Sequence, residues 1–234
     1  MKKLSILAQP DDSTCGPTSL HAVYNYFKYD LGLDEVIRSV NYLEGGGTLA
    51  VFLGLDALSK GFSARMYTSN LTMFDPSWRE LPKEELLKKL DAQLKYKKGR
   101  KFTLATAAYK QFLLKGGEIN MEMLDEALLK SYLSRNIPIL AGLSATYLYQ
   151  TKREYADEQD RSIFDDLRGE PMGHFVVLTK LEGEYLWVAD PYKENPISST
   201  NYYKIETNRV INAIHLGILT YDANILIVSP KNLI

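Results

Sequence analysis

The chain has little of what would place it in several large functional classes. One cysteine, Cys15, occurs in 234 residues, which excludes an internal disulfide framework and a cysteine-only zinc site. The three histidines, His21, His174 and His215, are far apart and form no metal-ligand spacing, so neither a metal nor another cofactor is expected. Charge of one sign is not in surplus. The formal net charge is -1, which leaves no overall field to gather nucleic acid or a membrane surface. No apolar run approaches the length of a bilayer span, and the short one behind Lys2 and Lys3 does not reach signal-peptide length. Repeats and low-complexity tracts are absent. These absences lead to the expectation of a soluble, cytoplasmic protein that keeps its thiol reduced and partners neither nucleic acid nor membrane. They are silent on oligomeric state.

What is present is a globular composition, with 45% apolar residues. The stretch "QPDDSTCGPTSLHAVYNYF" runs from a polar loop into a helix. Asp11, Asp12, Ser13 and Thr14 are N-cap types, and Pro17 suits a first turn. Leu20, Val23, Tyr24 and Phe27 then recur with helical spacing. "LDEVIRSVNYL" reads as a second helix. "GGGTLAVFLGLDALSKG" reads as a glycine turn, a Thr48 cap, an apolar helix and a Gly61 stop. "FSARMYT" alternates as a strand does. Residues 75–115 are charged and helix-rich, the reading of an inserted helical arm with a basic end, "KYKKGRK". "INMEMLDEALLKSYLSRN" is a further amphipathic helix and "IPILAGLSATYLY" a buried strand. Residues 150–170 are polar, a loop or surface helix. "HFVVLTK" and "EYLWVAD" follow as strands, and the C-terminal "INAIHLGI" and "NILIVSP" as two more around the turn "TYDA". A chain of this length fits one large domain or two small ones, and helices first and strands later predict an α+β fold.

A thiolate is stabilised by the partial positive charge of a helix N-terminus, and a neighbouring imidazolium lowers a thiol pKa further. A free cysteine is also commonly a small buried hydrophobe, so Cys15 needs a base. His174 opens an apolar strand after a glycine turn, and Asp190 closes the next strand 16 residues later. A three-residue turn at 181–183 would pair the two directly across an antiparallel ladder, on one face, whereas a two-residue turn would spoil the pairing. Gln9 offers an amide donor which, with the Cys15 N–H, suits a developing oxyanion. Nucleophile, base, orienter and oxyanion donor together are far more specific than any one of them. His21 lies about 240° around the helix from Cys15 at ~100° per residue and is read as structural, as is His215 in its strand. Trp187 is read as a core residue.

These residues carry a resemblance. Gln9, "TCGPTSL", "GHFVVL" and "VADP" resemble papain-like cysteine peptidases, specifically the bacteriocin-processing, double-glycine-leader peptidases and their stand-alone relatives. The resemblance implies a papain-like cysteine peptidase fold, with an N-terminal central helix carrying the Cys packed on a C-terminal antiparallel sheet carrying the His and Asp. It also implies Cys15 as nucleophile, His174 as base, Asp190 as its orienter and Gln9 as oxyanion donor. A peptide or amide substrate would be hydrolysed through a thioester. The same site with an amine acceptor would be an acyltransferase or transpeptidase, and the same shape without chemistry would be a peptide- or partner-binding module.

Overall fold

A computed structural model of the chain describes residues 4–44, 46–159 and 161–233. Lys2, Lys3 and Gly45, the first glycine of the expected turn, lie outside the described residues. Helix α1 (Cys15–Tyr26) is followed by α2 (Leu33–Ser39), α3 (Ala50–Ser59), strand β1 (Ser63–Thr68), α4 (Lys83–Gln93), α5 (Arg100–Leu114), β2 (Glu118–Asn120), α6 (Glu126–Leu133), β3 (Ile139–Ser144) and α7 (Ala145–Tyr149). Then come β4 (Glu154–Ala156), β5 (Ser162–Phe164), β6 (Gly173–Glu182), β7 (Tyr185–Ala189), β8 (Tyr202–Glu206), α8 (Thr207–Leu216) and β9 (Asn224–Ser229).

Among the described residues, seven strands form one sheet in the order β2-β1-β9-β3-β6-β7-β8. Within it the short edge strand β2 runs parallel to its neighbour and the other pairings are antiparallel. Alternate residues feed two cores, as period-2 geometry requires. Phe175, Val177 and Leu226 join the core under α1, α3, α4 and α5, whereas Val176, Leu178, Ile225 and Ile227 join the core under α6 and α8. Leu90, Tyr109 and Phe112 of α4 and α5 are fully buried in the first core. Helix α1 is buried along its first ten residues, not on one stripe alone. Gly16 is what lets its first turn sit this deep, because a Cβ there would stand 2.5 Å from Thr48 Cγ2.

Several local expectations are corrected. "INAIHLGI" is helical: Thr207, Val210, Ala213 and Ile214 are buried at spacings of three and four, a helical period hidden in an apolar run. His215 therefore sits exposed in the last turn of α8, not in a strand. Residues 150–170 contain the two-stranded ribbon β4–β5 instead of a helix. Thr48 does not cap α3. Leu49 holds that position, and the Thr48 hydroxyl donates to the Asn41 carbonyl at 2.7 Å. Trp187 is 37% exposed and its indole N–H donates to Glu182.

The hairpin that carries the expected base and its orienter also differs. The turn has two residues, Gly183 and Glu184, between the paired Glu182 and Tyr185. Gly183 has φ +60, the backbone that a glycine at the first central position of a tight hairpin supplies at low cost. That turn sets Lys180 opposite Trp187, a register that carried onward would put Asp190 opposite Val177, on the wrong face. A bulge at Thr179 shifts the ladder, so that Leu178 meets Val188 and Val177 meets Ala189. Carried one step further, Asp190 stands level with Val176 and diagonal to His174, on the same face. A diagonal pair of this kind is within reach of long side chains. His174 itself pairs with Leu143 of β3.

Candidate active site

Cys15 is the first residue of α1, with Thr14 as N-cap. The loop before it is self-bonded. Asp11 accepts from the Ser13 N–H and hydroxyl at 2.8 and 2.7 Å, and the Thr14 hydroxyl donates to the Asp11 carbonyl at 3.0 Å. Partial burial pushes the Asp11 carboxyl up, and hydrogen bonds from Ser13 and Thr14 more than offset it, leaving the carboxyl below its ordinary range. The Gln9 N–H donates to the Pro191 carbonyl at 2.9 Å, which ties the loop before Cys15 to the segment after Asp190.

His174 and Asp190 are brought together despite the unexpected turn. The imidazole Nε2–H donates to Asp190 Oδ1 at 2.8 Å, with side chains 8% and 0% exposed. Nδ1 is left for another partner, and the Cys15 sulfur interacts with the ring both by hydrogen bonding and by charge. Burial alone would drive the imidazolium to deprotonate. The Asp190 carboxylate first and the Cys15 sulfur second more than offset it, so the His174 pKa rises from 6.5 to about 10. Asp190 is pushed up by its burial and pulled down more strongly by His174, the Tyr203 hydroxyl and the Tyr192 N–H, ending below its usual value.

Three neighbours of this pair had no signature at the level of sequence. The Tyr149 hydroxyl, from the end of α7, and the Tyr203 hydroxyl, from β8, both donate to Asp190 Oδ2, at 2.8 and 2.7 Å. Their own ionisation is suppressed by burial and by the carboxylate they serve. The Tyr192 N–H adds a bond to Oδ1 at 2.9 Å. Alternating burial in "YYKIE" would have marked Tyr203 as inward-facing, but nothing local connects Tyr149 with a residue 41 positions away. The rings of Tyr149 and Tyr192 lie 6.0 and 6.4 Å from that of His174, shielding it from water.

Gln9 stands differently. Its Nε2 donates one hydrogen to the Asp11 carbonyl at 2.9 Å, and its Oε1 is buried with no partner among the described residues. The second Nε2 hydrogen remains to be donated. His21 turns away from the thiol to the Leu31 carbonyl, 3.1 Å from its Nε2. Among the described residues no three His, Cys, Asp or Glu side chains group as metal ligands, and no helix is long and apolar enough to cross a membrane.

The sequence profile of the Peptidase_C39 like family matches residues 1–213. The chain belongs to this family. Its fold is the papain-like α+β arrangement of a Cys-bearing helix on an antiparallel sheet, and family and fold together support a cysteine peptidase function. Among solved structures, the chain is similar to a double glycine motif protease from an AMS/PCAT transporter in complex with the leader peptide. That match has 16% identity, 98% of this chain and 94% of that one covered, and a TM-score of 0.46. It is also similar to the peptidase domain of Streptococcus ComA, a bi-functional ABC transporter, with 11% identity, 98% and 100% covered, and a TM-score of 0.48. No curated protein matches the chain.

Proposed function

We propose that this member of the Peptidase_C39 like family is a cysteine peptidase or amidase in which Cys15, His174, Asp190 and Gln9 carry the reaction. The observation that supports this most is the buried 2.8 Å His174–Asp190 bond, which leaves the second ring nitrogen to the sulfur at the start of α1. An imidazole kept protonated at neutral pH is the partner a resting thiolate needs. The thiolate attacks the amide carbonyl and a C–S bond forms. The oxygen takes up the negative charge, which the Cys15 N–H and the second Nε2 hydrogen of Gln9 stabilise. The tetrahedral intermediate collapses by breaking the C–N bond, and His174 gives its proton to the leaving amine. Water then loses a proton to His174 and attacks the thioester, releasing the acid and restoring thiolate and imidazolium. Asp190 keeps the ring oriented and its charge compensated throughout, without itself accepting the proton.

An amine replacing water at the last step makes the same intermediate an acyl donor. The near-complete burial of Cys15 and His174, 8% and 7% exposed, favours keeping this second reading, because an enclosed thioester can be shielded from water. Product analysis separates the two, since hydrolysis yields a free carboxylate and transfer yields a new amide.

The test is iodoacetamide alkylation of Cys15 across pH, in the wild type and in His174→Ala. A thiolate–imidazolium pair gives rapid alkylation well below pH 8.5, the region of an ordinary thiol, and the mutant loses that acid-side reactivity. Slow alkylation that the mutation leaves unaltered would separate Cys15 from His174 and favour a binding module of the same shape.

A further inference from the structure

A groove of about 880 Å³ runs between residues 42–44 and Gly46 on one side and the first turns of α5 on the other, lined by Tyr42, Leu43, Glu44, Arg100, Lys101 and Leu104 among others. One wall rests on the turn that carries Cys15. A Cβ on Gly46 would stand 3.6 Å from Ser13 Cβ, two residues before the thiol. The Tyr42 hydroxyl is buried with no hydrogen-bond partner among the described residues. Its ionisation is held back by burial and by the nearby charges of Asp11 and Cys15. The groove therefore starts within electrostatic reach of the sulfur.

Its far wall is cationic. In the basic run singled out at the level of sequence, Lys97 and Lys98 spend their ammonium groups on the Thr72 and Leu94 carbonyls, and Arg100 is paired with Glu44. Lys101 is different. Its half-buried ammonium sits 4.3 Å from the centroid of the Tyr221 ring and has no oxygen acceptor within hydrogen-bond or ion-pair distance among the described residues. The acid whose charge acts on it is Asp222, buried against Gly142 and Gly173. Burial raises the Asp222 carboxyl to about 8, against the pull of Lys101 and the Ala50 N–H, so at neutral pH this acid is largely uncharged. The ammonium is thus partly desolvated and lacks an acceptor among the described residues, and Lys101 lines the groove whose other wall rests on the turn before Cys15. A charged donor in that state costs free energy until an anionic acceptor arrives.

We propose that this groove is the part of the substrate cleft that receives an acidic side chain, with Lys101 donating to its carboxylate, so that the preferred substrate is a peptide bearing Glu or Asp near the amide to be cut. This rests on the peptidase reading above. The apolar stretch of Leu43 and Leu104 holds the aliphatic part of the side chain or the adjoining residue, and Lys101 discriminates the charge.

The experiment is a peptide series in which Glu or its isostere Gln is moved through the positions either side of the cut bond, assayed with the full chain. At one position or more, Glu should exceed Gln in kcat/KM by about tenfold or more, the effect expected of a charge-assisted hydrogen bond in a partly buried site. Lys101→Ala should bring that ratio to about one, Lys101→Glu should push it below one, and Lys101→Arg should keep it. Hydrolysis of Glu and Gln peptides at equal rates throughout, or a Glu preference that survives Lys101→Ala, overturns the proposal while leaving the peptidase reading intact. If no peptide is cut and Cys15 alkylates slowly, the peptidase reading fails instead. Fluorescence anisotropy of the same labelled peptides on Cys15→Ala then still decides the groove. A Glu-over-Gln affinity ratio that Lys101→Ala removes supports it, and equal affinities overturn it.

Discussion

The two halves of the candidate site are built to different standards. On the side of the base, hydrogen bonding is saturated. Asp190 is fully buried and accepts four bonds, from His174 Nε2, the Tyr192 N–H and the hydroxyls of Tyr149 and Tyr203. Its backbone is tied in both directions to Asn201, by 2.8 Å from the Asp190 N–H and 2.6 Å to the Asp190 carbonyl. On the side of the nucleophile, capacity is left over. Gln9 Oε1 and the Tyr42 hydroxyl are buried without partners among the described residues, and one Gln9 Nε2 hydrogen is unused. On the proposed reading, the difference means that the imidazole is oriented and charged before any substrate arrives, whereas the proposed oxyanion side is left for what binds to complete. Preorganisation of this kind lowers the reorganisation cost at the moment of reaction.

The comparison can be broken first at Asp190. Asp190→Asn should reduce amide cleavage on the order of 10³–10⁴-fold, because the charge that holds His174 protonated disappears and two tyrosine donors lose an ionised acceptor. The sign of the pH effect follows from the two shifts. The raised His174 pKa stabilises the fold fully below 6.5, and that stability is lost as pH climbs through about 10. The lowered Asp190 pKa stabilises it above 3.8, and that stability is lost as pH falls through its native value. The Tm difference between wild type and Asp190→Asn should thus be widest between pH 4 and 6.5 and narrow towards 10. A difference that stays flat over this range would refute a protonated His174.

On the other side, Gln9→Ala should lower kcat by about 10²–10³-fold and shift Tm little, since its amide is one member of an exposed loop bond. A large Tm loss with kcat retained would make Gln9 a loop brace. The smallest expected effect comes from Tyr203→Phe. One of two donors to Asp190 Oδ2 is lost, for a stability cost of about 1.5–3 kcal/mol and a rate change within about tenfold. The remaining carboxylate charge, less dispersed, should pull the alkaline limb of the activity profile upward. Denaturant titration and a pH–rate profile measure the two, and a profile that does not move would reduce Tyr203 to packing.

The parts of the site legible in the sequence are those whose signal is local. Cap-type residues, Pro17 and helical periodicity put Cys15 at a helix start, and a glycine followed by an apolar alternation put His174 at a strand start. The geometry that joins them was less legible. The turn at Gly183–Glu184 is one residue shorter than expected, and the Thr179 bulge restores the face that the shorter turn would have lost. Two deviations cancel, and neither has a strong marker in "LTKLEGEYL". The helix at Thr207–Leu216 was hidden for a related reason, since short apolar runs satisfy strand and helix templates alike.

The sequence by itself determined the candidate set and its order, a thiol at a helix start, an imidazole at a strand start and a carboxylate at the end of the next strand, because capping and strand patterning act over a few residues. Only the tertiary structure decided the charge state of His174, the four-bond seat of Asp190 and the groove that ends at Lys101. Each depends on groups from distant elements meeting in a buried, weakly screening space, where burial and a single neighbouring charge outweigh anything encoded next door in the chain.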